Sequence, residues 1–126
     1  MKNIAIKENH LYNKVYRRGS KSVGRYTAVY VLRDLRARRN MIENPEKRYI
    51  NRLGIAVSKK IGNAVTRNRS KRIIRAAYRS VEAELSTGFL VVISARSGIV
   101  GVKSTDVERE LRDAFARLDM YKKKDR

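Results

Sequence analysis

The chain has 126 residues, 42% of them apolar, which is the length of one domain with a modest core. Its 31 Lys and Arg against 12 acids give a formal charge of +19, a self-repulsion that destabilises a compact state unless a polyanion sits against it. Cysteine is absent, which excludes disulfides and thiolate chemistry, and neither a long apolar run nor an isolated amphipathic anchor supports a membrane partner, so nucleic acid is the expected one.

Residues 1–7 read as a loose arm. From Asn9 the pattern is helical: Leu11, Tyr12, Val15 and Tyr16 share one stripe, predicting a helix over about 9–18 with Arg17 and Arg18 at its negative end and Gly19 in a left-handed cap. Lys21–Val23 reads as a short strand. Tyr26–Leu32 is a firmer one, with Tyr26, Ala28, Tyr30 and Leu32 on one face and Thr27, Val29 and Val31 on the other. Residues 33–52 are basic, hold the only proline, Pro45, and are long for a connection. They form either a basic loop or an extension of the flanking strands into a hairpin arm. Leu53–Ser58 alternates again, with Leu53, Ile55 and Val57 on one face and the shallow Gly54, Ala56 and Ser58 on the other.

The next helix is expected to start between Asn63 and Thr66 and to end by Ser86–Gly88. Ile74, Ala77, Tyr78, Val81 and Leu85 form its buried stripe, and Arg67, Lys71, Arg75 and Arg79 a row at successive turns. Phe89–Ala95 is a strand apolar enough to be covered on both faces. After a loop over Arg96–Lys103, Thr105 and Glu108 read as a capping box for a helix that buries Val107, Leu111, Phe115 and Leu118. Residues 121–126 are a loose basic end. The order is α-β-β-β-α-β-α: one α+β domain over 1–126, an α/β sandwich on a four-stranded sheet.

Two constellations carry contact chemistry. Lys59 to Arg79 holds eight cations (Lys59, Lys60, Arg67, Arg69, Lys71, Arg72, Arg75 and Arg79) and no acid before Glu82. Such a run forgoes every helical salt bridge, which argues for a phosphate-binding face over a merely solvated one. Gly62 and Asn63, leading into the helix, resemble an anion-binding helix start. The second constellation is aromatic: Tyr12 and Tyr16 lie one turn apart, and Tyr30 shares a strand face with the small Ala28. These rings either pack in the core or floor an open cleft on which bases stack. Three tyrosines in place of leucine or phenylalanine favour the cleft.

Self-contained catalysis has little to work with. His10 is the only histidine. Glu82/Glu84 and Glu108/Glu110 are two apart and do not face each other on helices, and Asp106, Glu108 and Glu110 suit a helix start. A protein nuclease needs a metal-binding carboxylate cluster or a His base.

Lys59-Lys60-Ile61-Gly62-Asn63-Ala64-Val65, then Arg67-Asn68-Arg69, then Lys71-Arg72-Ile73-Ile74-Arg75, resembles the signature of the bacterial ribonuclease P protein family. The resemblance extends over Leu11 to Gly19, Tyr30-Val31-Leu32, the GIAVSKK strand and the ISAR strand end. It leaves out 33–52, which is longer than the family usually has, and both termini. It implies an accessory protein in which a catalytic RNA and its Mg2+ remove the 5′ leader of precursor tRNA, and the protein contributes no catalytic residue and no metal site of its own. By that resemblance Lys59, Lys60, Asn63, Arg67, Asn68, Arg69, Lys71, Arg72 and Arg75 contact RNA. Tyr12, Tyr16, Ala28 and Tyr30 fall at the leader-cleft positions, the first two of which are commonly phenylalanine. Strand–helix–strand crossovers are right-handed in most folds; the resemblance implies a left-handed one through the basic helix. The implied partners are RNase P RNA and precursor tRNA, in the cytoplasm, with no membrane and no obligate protein partner. The alternative is a general or ribosomal RNA-binding protein with no role in tRNA processing.

Overall fold

A computed structural model describes residues 4–6, 9–34 and 51–122. Along the chain come β1 (Ile4–Ala5), α1 (Asn9–Arg18), β2 (Ser20–Val23), β3 (Thr27–Arg33), β4 (Arg52–Ala56), α2 (Ala64–Val81), β5 (Phe89–Ala95) and α3 (Ser104–Arg117). The strands form one mixed sheet in the order β1-β4-β5-β3-β2. β5 lies at its centre, antiparallel to β3 from Thr27↔Ala95 to Arg33↔Phe89 and parallel to β4 from Arg52↔Leu90 to Ala56↔Ser94. α2 is therefore the crossover between adjacent parallel strands.

Leu90, Val91, Val92 and Ile93 are all buried because both faces of β5 are covered. On one face α2 and α3 pack together over Val29, Val31, Val91 and Ile93. On the other, α1 sets Val15 against Leu90 and Val92, joined by Ile6. A ten-residue helix cannot cover this face, and Tyr16 and Val23 remain 38% and 48% exposed. The alternation read for β3 holds from Ala28 to Leu32, whereas Tyr26, just before the strand, packs with the α2–α3 cluster.

The four expected strands are joined by a fifth. Residues 4–6 are not a loose arm: β1 pairs in parallel at Ile4↔Arg52 and Ala5↔Leu53, and Ile6 N–H donates to Leu53 O at 3.0 Å. Two residues are too few to show a period, and pairing with a distant strand leaves no local mark. Tyr121 is likewise tied to the fold by a bridge to Leu85, and Lys122 N–H donates to Glu84 O at 2.9 Å. Residues 1–3 and 123–126 lie outside the described residues, as does 35–50, the bulk of the long connection. Its two ends are built into the domain. Arg52 holds the buried Asp34 through Nε at 2.6 Å and Nη2 at 3.0 Å. The Asn51 amide donates to Ser86 O and accepts from Phe89 N–H, both at 3.0 Å.

Two caps differ from expectation. Gly19 takes no left-handed cap; a Cβ there would stand 2.6 Å from Val15 O and 2.8 Å from Val31 O, so close backbone approach is what requires glycine. α3 starts at Ser104, before the expected box, and it is Asp106 Oδ2 that accepts from Lys103 N–H at 3.2 Å. α2 stops at Val81 and continues as a 3-10 turn over Glu82–Glu84.

Candidate nucleic-acid interface

The basic stretch begins with a 3-10 turn over Lys59–Ile61 that buries Ile61 and leaves Lys59 and Lys60 exposed. Gly62 follows with φ 151°, a value that favours glycine, and Asn63 caps α2 through Oδ1, which accepts from Thr66 N–H at 2.9 Å. The cap thus takes up one of the N–H groups that an anion at this helix start would need.

Along α2 the buried stripe is Ser70, Ile74, Ala77, Tyr78 and Val81, with Ser70 Oγ donating to Thr66 O at 3.0 Å. At about 100° per residue the cations fan across the rest of the helix. Arg72 lies at the crest, opposite Ile74 and Val81, and Arg69 falls on one flank. Lys71, Arg75 and Arg79 fall on the other, where they face Tyr12 of α1 across a cleft of about 490 Å³. Asn68, Arg69, Arg72 and Arg75 are exposed, while Arg67 and Lys71 are half-buried. Arg67 Nε is buried with no hydrogen-bond partner among the described residues. The close ion pairs among those residues, Arg52 with Asp34 and Arg112 with Glu84 and Glu108, all lie off this row.

On the α1 side of the sheet Tyr12 and Tyr30 are half-buried and pack against the cluster of Val15, Leu90 and Val92, while Tyr16 is 38% exposed. Tyr16 and Tyr30 meet edge to face, with ring centroids 4.9 Å apart and planes at 88°. The Tyr16 hydroxyl shares a 2.9 Å hydrogen bond with Ser94 Oγ. Tyr12 lies over Gly54, where a Cβ would stand 2.6 Å from its hydroxyl oxygen. Burial, with Tyr16 adding to it, holds the Tyr12 phenol above its ordinary pKa, so this ring meets a ligand uncharged. Ala28 pairs with Ser94 in register and is only 6% exposed, so it forms floor and offers almost no contact surface.

Sequence reasoning missed Ser94. The available signal was a hydroxyl at the third α1-facing position of β5, after Leu90 and Val92. Tyr12 joins the two constellations by lining the same cleft as Lys71 and Arg75, whereas Lys59, Lys60, Arg69 and Arg72 do not line it. His10 is exposed at the start of α1. Among the described residues no group of three or more His, Asp or Glu is placed to hold a metal ion, and no helix is long and apolar enough to cross a membrane.

Comparison with known proteins agrees with this geometry. The family model described as Ribonuclease P matches residues 1–119. The ribonuclease P protein component of Clostridium acetobutylicum is 35% identical over 126 residues, covering 98% of each chain. That of Clostridium botulinum (strain Loch Maree) is 34% identical over 122 residues, covering 96% of this chain and 99% of its own. The structure of the Staphylococcus aureus RNase P protein superposes with a TM-score of 0.76 at 25% identity, over 96% of this chain and 100% of that one. The RNase P protein of Thermotoga maritima, 21% identical with a TM-score of 0.66, shares the fold. The chain belongs to the ribonuclease P protein family.

Proposed function

We propose that this chain binds the catalytic RNA of ribonuclease P and the 5′ leader of precursor tRNA, and so assists removal of that leader by an RNA that performs the hydrolysis. The observation that carries this reading is the meeting of two surfaces. Tyr12 of α1 lines one cleft with Lys71 and Arg75 of α2, and one helical turn on Tyr16 meets Tyr30 edge to face, so phosphate-binding cations and stacking faces stand on neighbouring elements. Lys59, Lys60, Arg67, Arg69, Lys71, Arg72 and Arg75 neutralise phosphates, the Asn68 amide hydrogen-bonds to the RNA beside them, and Asn63 fixes the start of the helix that presents them. Tyr16 and Tyr30 supply stacking faces over a floor that includes Ala28, and Tyr12 stands where the leader passes toward α2.

Mg2+ enters this reading as an ion held by RNA and substrate phosphates. Among the described residues no group of three or more His, Asp or Glu is placed to supply the oxygen ligands such an ion takes. The protein's contribution is electrostatic: cations spread over RNA phosphates lower the amount of Mg2+ that folding and cleavage require. A cytoplasmic setting follows from the substrate.

Reconstitution tests the reading. The full chain is mixed with bacterial RNase P RNA and precursor tRNA at low Mg2+, and 5′ leader removal is followed. Stimulation over RNA alone is the expected result. RNA binding without stimulation would instead identify a general RNA-binding protein, and cleavage by the chain alone would identify a nuclease.

A further inference from the structure

We propose that the outer face of α1 is a second phosphate-binding surface, which takes a stretch of RNA backbone separate from the one held by α2. The proposal rests on the reading that the chain binds RNA, and adds a face that belongs to neither of the two surfaces described above. From Asn9 to Arg33 the sequence has six cations and no acid, a second run of the kind that marks α2. Of the acids on either side, Glu8 precedes the helix, and Asp34 is buried and held by Arg52.

At about 100° per residue, with Val15 set on the sheet, Tyr12 and Tyr16 fall on one flank of α1 and Lys14 and Arg18 on the other. His10 stands one turn before Lys14, and Arg17 lies near the crest beside Asn13. His10, Asn13, Lys14, Arg17 and Arg18 are all exposed, and the close ion pairs among the described residues involve none of them. The helix dipole accounts for Arg17 and Arg18, which stand in the last turn, but not for Lys14. Lys14 and Arg18 are like charges one turn apart, an arrangement that weakens a helix in water. α3 shows how this protein builds a helix face for solvent. There Arg109, Arg112 and Arg117 are interspersed with Glu108 and Asp113, and Arg112 pairs with Glu84 at 2.7 Å and with Glu108 at 3.3 Å. α1 carries cations without that compensation, so its outer face suits a polyanion. A backbone held by Lys71 and Arg75 lies on the Tyr12 side of α1. The helix, about 10–12 Å across with its side chains, separates that backbone from Lys14 and Arg18. The two rows therefore take different stretches, of the catalytic RNA or of precursor tRNA.

The test uses the full chain with RNase P RNA and with precursor tRNA, each titrated at several salt concentrations. Lys14→Ala/Arg18→Ala should melt as wild type does and reduce the slope of log affinity against log salt by about two, one for each lost contact. Between about 50 and 200 mM salt, wild type should lose about tenfold more affinity than this variant. The RNA whose titration shows the change is the one that the face holds. Arg109→Ala/Arg117→Ala removes the same charge from α3 and should leave the slope unchanged. An equal fall in both variants is an effect of net charge and overturns the proposal, as does a wild-type slope in the α1 variant with both RNAs. The chain has no cysteine, so Asn13→Cys on α1 and Ala76→Cys on α2 can each carry one photocrosslinker. Crosslinks to different nucleotides are expected, and crosslinks to the same nucleotides overturn the proposal. A wild-type chain that binds neither RNA defeats the proposed function and this proposal together. Binding without stimulated leader removal defeats the proposed function alone, and the slopes still decide the α1 face.

Discussion

Glu110 of α3 clasps Thr27 at the start of β3. Its Oε2 accepts from both the backbone N–H and the hydroxyl of Thr27, each at 2.9 Å. The same carboxylate accepts from the backbone N–H groups of Tyr26, at 3.1 Å, and Arg25. This one side chain locks the β2–β3 turn to the last helix, and a Cβ on Gly24 would collide with it. Thr27 is 1% exposed, so removing the acceptor strands its donors away from water. Glu110→Ala should destabilise the fold by about 2–3 kcal/mol, read as a lower denaturant midpoint with an unchanged m-value, and RNA affinity extrapolated to the folded protein should stay the same.

Asn63 has two separable roles. As the cap on Thr66 N–H it stabilises α2, and Asn63→Ala should cost about 1 kcal/mol of stability. Asn63→Asp keeps the cap and places a favourable charge at the helix start, yet it sets that charge against the phosphates of a bound RNA. A melt at or above wild type with weaker RNA binding is the expected pair of results. Weaker binding by Asn63→Ala alone would reduce the residue to its cap.

Arg67 is half-buried in the first turn of α2, its Nε without a partner among the described residues. Arg67→Ala should weaken RNA binding evenly across sequences and reduce the slope of log affinity against log salt by about one ion. Titrations at several salt concentrations read both quantities. A slope identical to wild type would place Arg67 off the phosphate path.

Tyr30 meets Tyr16 edge to face, and Tyr16 is tied to Ser94. Tyr30→Ala removes one stacking face and loosens the second, and should cost about 1–3 kcal/mol of precursor tRNA affinity with mature tRNA affinity nearly unchanged. Equal losses for the two RNAs would contradict the leader path. Tyr16→Phe breaks only the link to Ser94 and should cost less than Tyr30→Ala.

Tyr78 gives the fold a limit at high pH. Burial pushes its phenol up to about 12; Asn51 draws it down somewhat and the Glu82 carboxylate adds an upward push. The Asn51 amide is committed to Ser86 O and Phe89 N–H, and the Tyr78 hydroxyl is left without a well-formed bond. An unfolded tyrosine ionises near 10, so above that pH the unfolded state releases a proton that the folded state keeps. The stabilisation is complete below about pH 10 and is lost as pH rises toward about 12. Tyr78→Phe should flatten this loss in melts taken between about pH 9 and 11.5, and at pH 7 it should be close to neutral because it removes an unpaired buried hydroxyl.

Much of the fold was legible because its signals are local. Asn9–Arg18 and the basic helix announce themselves by period, and the start expected between Asn63 and Thr66 includes the observed one at Ala64, which Asn63 caps. The alternation of β3 from Ala28 to Leu32 assigned its faces correctly, and the unbroken apolar run of β5 marked the central strand. The α3 start was misplaced by two residues, since Asp106 could reach Lys103 as well as Glu108 could reach Thr105.

The sequence by itself determined where the charge sits, that no acid offsets it before Glu82, and that tyrosines share one strand face and one helix stripe. Those properties depend on neighbours within a few residues, where propensity and periodicity operate. Tertiary structure alone decided that Ile4 and Ala5 extend the sheet beside Arg52 and Leu53, that Ser94 receives Tyr16, that Glu110 holds Thr27, and that Tyr12 faces Lys71 and Arg75 across one cleft. Each of these joins segments far apart in the chain, and their pairing is selected by the cooperative packing of the whole sheet between its helices, for which no short window of residues carries a mark.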